Sequence, residues 1–547
     1  MNFKRKLWWA QHRTDVYKYS TFILLFLIVT ISIIYFTYSK FSSTNEATMY
    51  ETTVKPFIKN DYFIASYIDG KWSNEIPGKN DGYIVDKIVC DNGATGTWDY
   101  NDWRIYIDNA TKKTKCSLFF VTGSLIDVEL YQGMIPVTYN SSGDVVVADT
   151  NTKWYDYSNH EWANAVLINC ADSTIKSKYF NDDMSLKSSV VGSTISMDEI
   201  LQMYVYIPRY RYKLFNAENR TSVEQAIEIE FEPKSTPKSN GSRDGEWLTH
   251  PAFTFGNTEL PGIWVGKFEA SGTTDNYIIK PNLKSLTNIN LSTMFNTSRT
   301  VTTTKASTYG TNSSTSDSHM IKNMEWGAVA YLTNSVYGRY NDASSCIDSG
   351  CEVWINNINT GYGDNTAVSG QPQWGSITGC VGSSTSVGVL NSQLSCVSGY
   401  DWKNKGVNAS TTGNKYGIYD MVGGAIDCVM GVQKDANGNV QASSSGFSTA
   451  SLPDNKYYDL YDYQASDGVE YSRYHLGDAI KEVLKNNISQ GQNAWWNDYT
   501  YTIYSDYPWV VRGGYSNYTD GAGIFYFSKS KGSSWTATSF RSVLTAY

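Results

Sequence analysis

Residues 414–427 read NKYGIYDMVGGAID, and no other stretch of the sequence is as informative about the fold. Tyr419 and Met421 alternate with Asp420, a pattern that is typical of a buried strand. Glycine lets chain segments approach closely and adopts positive φ without strain. We therefore predict tight turns at the glycines in and just before this stretch, namely Gly413, Gly417, Gly423 and Gly424.

Two regions on its N-terminal side predict helices. The better one is residues 318–338, because four apolar side chains share one face at helical spacing: Met324, Ala328, Tyr331 and Leu332. The other begins with an N-cap signal at Ser196, followed by acidic residues. It predicts a short helix that runs into a β segment from Tyr204.

Segments in a fixed order resemble the formylglycine-generating-enzyme (sulfatase-modifying factor) branch of the C-type lectin fold. They are YVYIPRYRYKL (204–214), ELPGIWVGKFEAS (259–271), MEWGAVAYLTN (324–334), residues 414–427 and VVRGGYSNY…TSFRSVL (510–544). The most specific is 414–427, which is similar to the family pattern N-x-x-G-L-Y-D-M-x-G-N-V-W-E. The resemblance implies an α+β, C-type-lectin-like domain over residues 151–547.

Composition excludes several classes of protein. Hydrophobic residues make up 41% of the 547 residues and aromatic residues 14%, which argues against a chain that is disordered overall. The formal net charge of -8 argues against a nucleic-acid-binding protein. Tyr, Asn, Ser, Thr and Gly dominate the polar content, a mixture that suits turn-rich β structure and exposed binding loops.

The N-terminal region predicts a membrane anchor. Residues 1–20 are basic, and residues 21–38 (TFILLFLIVTISIIYFTY) carry no charge. By the positive-inside rule, residues 1–20 are a cytoplasmic tail and residues 39–547 are extracellular. A cleaved signal peptide is the alternative interpretation. Residues 39–60 read as a stalk, and short strands between turn signals predict a small β-sandwich over residues 61–150.

All eight cysteines follow the apolar segment, and an even count in an exported protein suggests disulfides. Local spacing suggests the pairs Cys90–Cys116, Cys346–Cys351 and Cys380–Cys396. Cys170 and Cys428 remain, either as a fourth pair or as two buried thiols.

The chemistry of the resembling enzymes is missing. Their activity implies a pair of C-terminal cysteines that hold a metal, and no cysteine follows Cys428. A related branch implies a His-rich iron site, and no HxxxH occurs here. We expect no enzymatic activity and no cofactor. The resemblance allows a structural Ca²⁺, but the sequence does not identify the residues that would bind it.

The C-terminal segment 512–541 resembles the variable region of proteins that bacterial and phage retroelements diversify. It keeps that family's framework at Arg512, Gly513, Gly514, Ala522, Gly523, Phe525, Phe527, Gly532, Phe540 and Arg541. Between these lie residues that combine rigid aromatic contact area with adaptable hydrogen bonding, as binding surfaces do. The predicted ligand-binding residues are Ser516, Asn517, Tyr518, Thr519, Asp520, Tyr526, Ser528, Lys529, Ser530, Lys531, Ser533, Ser534, Trp535, Thr536 and Thr538.

We therefore predict a single-pass surface protein, of receptor or adhesin type, from a bacterium or its prophage. Its partner would be a protein or glycan on another cell, a host or a phage, and not a nucleic acid. Two alternatives stay open. One is an exported enzyme of the formylglycine-generating class with a divergent site, which would turn over a cysteine peptide. The other is a structural surface subunit, which would self-assemble.

Overall fold

The computed structural model describes most of the chain from residue 62 onward. The described residues are 62–67, 71–72, 85–91, 93–99, 104–109, 114–120, 126, 128–218, 221–340, 351–356, 377–381, 401–448, 450–468, 470–486, 488, 490–514 and 521–546. The chain divides into two compact units, Met1–Ser124 and Leu125–Tyr547.

The first unit contains two antiparallel sheets of three strands each. Its strands are β1 (Tyr62–Tyr67), β2 (Lys71–Trp72), β3 (Val85–Cys90), β4 (Thr95–Asp99), β5 (Arg104–Asp108) and β6 (Thr114–Phe120). The strand orders are β1-β6-β3 and β2-β5-β4. Ile105 and Ile107 on β5 are buried and alternate with more exposed positions, as expected of a strand with one face on a core.

The second unit holds the remaining strands. They are β7 (Met134–Tyr139), β8 (Val145–Val147), β9 (Asn164–Ile168), β10 (Ile200–Pro208), β11 (Tyr210–Lys213), β12 (Ile229–Phe231), β13 (Trp247–Thr249), β14 (Thr254–Phe255), β15 (Thr258–Glu259), β16 (Gly262–Gly266), β17 (Ser271–Gly272), β18 (Tyr277–Ile278), β19 (Ser316–Met320), β20 (Ile426–Gln433), β21 (Asp459–Tyr461), β22 (Gln490–Gln492), β23 (Tyr499–Tyr501), β24 (Trp509–Arg512), β25 (Phe527–Ser530), β26 (Thr538–Phe540) and β27 (Ser542–Ala546).

Two large sheets dominate this unit. The first has the antiparallel order β19-β27-β16-β10-β9-β7-β8. The second has the mixed order β21-β20-β24-β25-β23-β22, with β26 parallel to β20. β7 and β8 pair within the first of these sheets, and the two compact units divide between residues 124 and 125.

The helices are few and short. They are α1 (Ser173–Tyr179), α2 (Leu291–Thr300), α3 (Ala306–Tyr309) and α4 (Asn323–Thr333), with 3-10 turns at Tyr157–Asn159, Ser188–Val190, Pro251–Phe253, Val407–Ala409, Asn455–Tyr457, Tyr471–Arg473, Lys481–Val483 and Trp495–Asn497. Every residue of α4 is buried, so the helix predicted within 318–338 exists but has no solvent-facing side. Its first predicted residues form β19 instead.

Strand β10 lies inside the first large sheet and is buried along almost its whole length. It pairs with β9 on one side and with β16 on the other, so both of its edges are hydrogen-bonded, and consecutive side chains along it are buried, which shows that both faces of the strand are covered. The helix predicted after Ser196 is absent: a turn there leads directly into β10. Pairing with two neighbouring strands outweighs the local N-cap signal.

The stretch 414–427 makes the turns that its glycines predict. Gly413, Gly423 and Gly424 have φ of 71°, 74° and 67°. Gly417 is needed for space, since a Cβ there would lie 2.4 Å from the Ser410 hydroxyl oxygen. Asp420 also has a positive φ of 61°, so the alternation around it is not a strand, although Tyr419 and Met421 are fully buried. The strand begins later, at Ile426.

The predicted fold class is wrong. Sheets dominate the described residues, which do not show a C-type-lectin fold or an α+β balance of elements. The physical reason is that helical periodicity is confined to a few short segments, whereas strand-favouring aromatic and β-branched residues recur along the chain.

The prediction of a single-pass membrane protein is also corrected. Among the residues that the structure describes, no helix has the length and apolarity needed to cross a bilayer. The longest, α4, has 11 residues, whereas a crossing takes about 20. The predicted tail, span and stalk, residues 1–20, 21–38 and 39–60, lie outside the described residues.

One disulfide has both its cysteines in the described part of the chain. Cys90 and Cys116 stand opposite each other on β3 and β6 and are bonded, as predicted. Cys351 and Cys380 are also disulfide-bonded, while Cys346 and Cys396 lie outside the described residues. Cys170 and Cys428 are two buried free thiols, which settles the alternative left open for them.

Candidate ligand-binding face

The C-terminal segment 512–541 crosses the second large sheet twice. Arg512 ends β24, and the chain returns antiparallel to it as β25, with Val511 opposite Ser528. It then runs through residues 531–537 to β26, which lies parallel to β20. Five of the predicted ligand-binding residues, Ser516, Asn517, Tyr518, Thr519 and Asp520, lie outside the described residues.

The framework positions of this segment are interior. Their side chains are fully or almost fully buried at Arg512, Ala522, Phe525, Phe527, Phe540 and Arg541. Gly532 has φ of 74°, and a Cβ there would lie 2.7 Å from the Ser445 Cβ. These residues therefore hold the segment in place and do not reach a ligand at the surface.

The remaining predicted ligand-binding residues separate into three groups. Tyr526, Ser528 and Thr538 are buried, with Tyr526 only 1% exposed. Lys529, Ser530 and Thr536 are half-buried. Lys531, Ser533, Ser534 and Trp535 are exposed. The structure thus leaves Lys529, Ser530, Lys531 and residues 533–536 at least partly at the surface and withdraws Tyr526, Ser528 and Thr538 from it.

Trp535 is held as an exposed ring on a fixed backbone. Its side chain is 43% exposed. Its carbonyl oxygen accepts hydrogen bonds from the amides of Asn288, at 3.0 Å, and Thr538, at 3.3 Å. Large exposed rings on a rigid backbone provide contact area at low entropic cost.

Lys529 lies among three tyrosine rings that no sequence pattern had singled out. Its ammonium nitrogen is 3.3 Å from the ring centre of Tyr501, 4.2 Å from that of Tyr504 and 4.8 Å from that of Tyr507. The ammonium nitrogen of Lys531 is 4.9 Å from the ring centre of Tyr507. We call these five residues the tyrosine–lysine face. The sequence feature that could have pointed to these three tyrosines is the tyrosine-rich run YTYTIYSDY at residues 499–507.

The surroundings of Lys529 keep it charged. Partial burial by itself lowers the pKa of its ammonium group, but interaction with the hydroxyl groups of Tyr501 and Tyr504 outweighs this and raises the pKa above its ordinary value. A cation over several aromatic faces is stabilised by their quadrupoles. The lysine and the rings around it therefore hold one another in position.

Buried polar contacts fix the loop that precedes β25. Asp498 accepts a hydrogen bond from the Phe525 amide at 2.8 Å, and burial raises the pKa of its carboxyl group well above the usual range. The Trp326 indole donates to the Ile524 carbonyl at 3.0 Å. Arg512 donates to the Ala479 carbonyl at 3.0 Å. The first two bonds hold the backbone of Ile524 and Phe525 in the interior.

Two clusters of titratable groups in the described part of the chain are buried. His319 lies between Asp317 and Glu325, at 3.1 and 3.0 Å, with all three side chains at most 1% exposed. Arg541 contacts Asp427 at 3.2 Å in the same way. Burial raises the pKa of the Cys170 thiol to about 11 and of Cys428 to about 12, which leaves both unreactive.

The described residues contain no group of three or more His, Cys, Asp or Glu side chains arranged to hold a metal ion. Comparison with known proteins adds no family: no protein-family model matches this chain, and no curated protein matches it either. The resemblance to formylglycine-generating enzymes and to retroelement-diversified proteins therefore remains a prediction.

Proposed function

We propose that this protein binds a ligand without catalysis, through the tyrosine–lysine face. The observation that carries the proposal is the packing of the Lys529 ammonium group against the rings of Tyr501, Tyr504 and Tyr507. Lys529 makes no ion pair in the part of the chain that the structure describes, and a binding surface gains from aromatic and cationic groups that are already ordered.

The energetic reason is preorganisation. Binding loses affinity when side chains must be ordered on contact, at about 0.5–1.5 kcal/mol for each mobile one. The tyrosines are ordered by the lysine and by one another, since the rings of Tyr504 and Tyr507 lie 5.7 Å apart. Binding energy at interfaces concentrates in a few residues, mainly Trp, Tyr and Arg.

The test is a binding screen of the full chain on a glycan array and a protein array, repeated with the variant Tyr504→Ala/Tyr507→Ala. We expect a specific ligand whose binding falls by about tenfold or more, in line with the loss of interface hot spots. Tyr458→Ala is the matched control, because Tyr458 is a half-buried tyrosine beside β21, at the other edge of the same sheet. Unchanged binding by the double variant would refute the proposal.

We further propose that residues on this side of the segment vary between copies of the gene. The split between buried framework positions and the exposed residues Lys531, Ser533, Ser534 and Trp535 supports this, because exposed side chains can change without disturbing the core. Sequencing the 3′ end of the gene across a population tests it. Substitutions should cluster at the exposed positions of the segment. The DNA next to the gene should contain a near-copy of codons 512–541 that differs from them mainly at adenines. An invariant segment without such a template contradicts variation but leaves ligand binding intact.

A further inference from the structure

The tyrosine–lysine face offers mainly hydrogen-bond donors to a ligand. The Lys529 ammonium group contacts Tyr501 and Tyr504 over their ring faces, and the structure describes no hydrogen bond in which either tyrosine hydroxyl donates its proton. Their O–H groups are therefore available to donate outward. Lys531, exposed beside Tyr507, adds further donors. The face therefore presents donors and aromatic rings.

The positive charge of this face is uncompensated locally. In the part of the chain that the structure describes, no carboxylate lies within ion-pair distance of Lys529 or Lys531, although Asp506 is exposed in the neighbouring turn. The chain as a whole carries a net charge of -8. Two unpaired lysines among phenol groups thus form a cationic spot on an acidic protein, and such a spot favours an anionic partner.

We infer that the tyrosine–lysine face binds a carboxylate-bearing sugar residue of a glycan, such as a sialic or uronic acid. This rests on the proposed function and names its ligand class. The ammonium and phenol donors match a carboxylate, and charge-assisted hydrogen bonds are the strong ones. The flat tyrosine rings match the apolar face of a pyranose ring.

A glycan fits the face better than an acidic peptide does. Extended peptides commonly add to a free sheet edge, where backbone groups are unpaired. Lys529 lies on β25, an inner strand between β24 and β23, and pairs there with Val510. One edge of β25 at Lys529 is thus occupied by β24, and β23 pairs with the other edge at Phe527. This arrangement favours recognition through side chains displayed on a surface, as in stacking against a sugar ring.

Calorimetric titration of the full chain tests the inference. The probes are 3′-sialyllactose and trigalacturonic acid, with lactose as the neutral counterpart and a hexaglutamate peptide as the acidic non-sugar. We expect at least one acidic sugar to bind about tenfold or more tightly than lactose and the peptide. Its affinity should fall when the salt concentration rises from about 0.05 to 0.5 M, because salt screens exposed charges.

Variants locate the site. The double variant Lys529→Gln/Lys531→Gln should weaken binding of the acidic sugar by about tenfold or more, while Lys234→Gln should not, since Lys234 is an exposed lysine without a partner in the described residues. Lys531→Gln alone is the second variant, because its exposed side chain can change without loss of folding. Unfolding temperatures of all variants are measured in parallel.

The outcomes separate the two proposals. Preference for lactose or hexaglutamate, with binding lost in Tyr504→Ala/Tyr507→Ala, overturns the acidic-sugar inference but keeps the face as a binding surface. Binding of an acidic sugar that neither lysine variant weakens also overturns the inference. If no probe binds, and the array ligands bind Tyr504→Ala/Tyr507→Ala as tightly as the unsubstituted protein, both the proposed binding face and the acidic-sugar inference fail.

Discussion

At the residue scale, Gly523 shows how little space the interior leaves around Asp498. A Cβ at this position would lie 1.7 Å from an Asp498 carboxyl oxygen. Gly523→Ala must displace Asp498 and break its hydrogen bond with the Phe525 amide. We expect a loss of about 2–3 kcal/mol in unfolding free energy, measured by urea denaturation.

Gly521→Ala is the control for this experiment. Its nearest neighbour would be the Tyr499 Cβ at 3.3 Å, and neither glycine has a positive φ. Its cost should stay below about 1 kcal/mol. Equal losses in the two variants would contradict the structural reason given for Gly523.

Glu482 is a second residue with a measurable consequence, because its carboxyl group is buried without a cation. One oxygen accepts hydrogen bonds from Tyr212, Tyr331 and the Gly477 amide. Burial, the largest effect, raises its pKa from 4.5 to about 7. The stability linked to this group is therefore complete below about pH 4.5 and is lost as the pH rises through about 7. The rise of the Glu482 pKa from 4.5 to about 7 corresponds to roughly 3 kcal/mol of unfolding free energy.

Glu482→Gln should remove this titration. Unfolding free energies measured between pH 4.5 and 8 should fall less steeply in the variant than in the unsubstituted protein. The glutamine keeps an acceptor for the two tyrosines, so the fold should survive. Parallel curves for the two proteins would show that Glu482 does not change its protonation on folding.

At the scale of elements, the N-terminus of α4 is held by a buried ionic contact. Glu325 accepts a hydrogen bond from the Lys322 amide at 2.8 Å and contacts His319 on β19. Burial lowers the pKa of His319, but the carboxylates of Glu325 and Asp317 outweigh burial and raise it above 6.5. The stability from this histidine is thus complete below pH 6.5 and is lost as the pH rises through its raised pKa.

His319→Gln should destabilise the protein at pH 6, but by less than the about 3–5 kcal/mol expected when a buried charge loses its sole partner, because Arg299 still contacts Asp317 and Lys322 still contacts Glu325. Thermal unfolding across pH 5–9 measures this, and the deficit should shrink at high pH. His475→Gln is the control, because His475 is an exposed histidine. A small, pH-independent effect of His319→Gln would exclude a charged histidine at this site.

At the scale of the whole molecule, the disulfide Cys90–Cys116 belongs to the first unit alone. It closes a loop over a sequence separation of 26, and such a loop is worth about 3 kcal/mol. In Cys90→Ser/Cys116→Ser we expect faster amide hydrogen exchange in β3 and β6. Exchange in the sheets of the second unit is the internal control, and faster exchange there too would contradict the division into two compact units.

Sequence patterns predicted local features of this molecule better than its architecture. The glycine turns around residues 414–427, the buried helix α4 and the pair Cys90–Cys116 all depend on residues near one another along the chain or on simple spacing. The α+β class and the helix after Ser196 were wrong because strand pairing decided those regions. For example, β27 is inserted between β16 and β19, which no local pattern reveals.

The segment that carries Lys529, Lys531 and Trp535 was predicted to bind a ligand from its resemblance to a diversified variable region and from its composition, and binding by it stays a prediction. Tyr526, Ser528 and Thr538 were placed on the surface because composition does not show which side of a strand meets the core. The three tyrosines around Lys529 were missed, because they come from β23 and the turn after it.

By itself, the sequence determined the overall charge, the strand-favouring composition and the turns that require glycine. These properties belong to single residues or to short spacings. Only the tertiary structure decided the order of the sheets, the burial of Glu482 and His319, and the meeting of Lys529 with Tyr501, Tyr504 and Tyr507. The physical reason is that these contacts join residues from separate strands and loops, and sheet pairing brings such residues together.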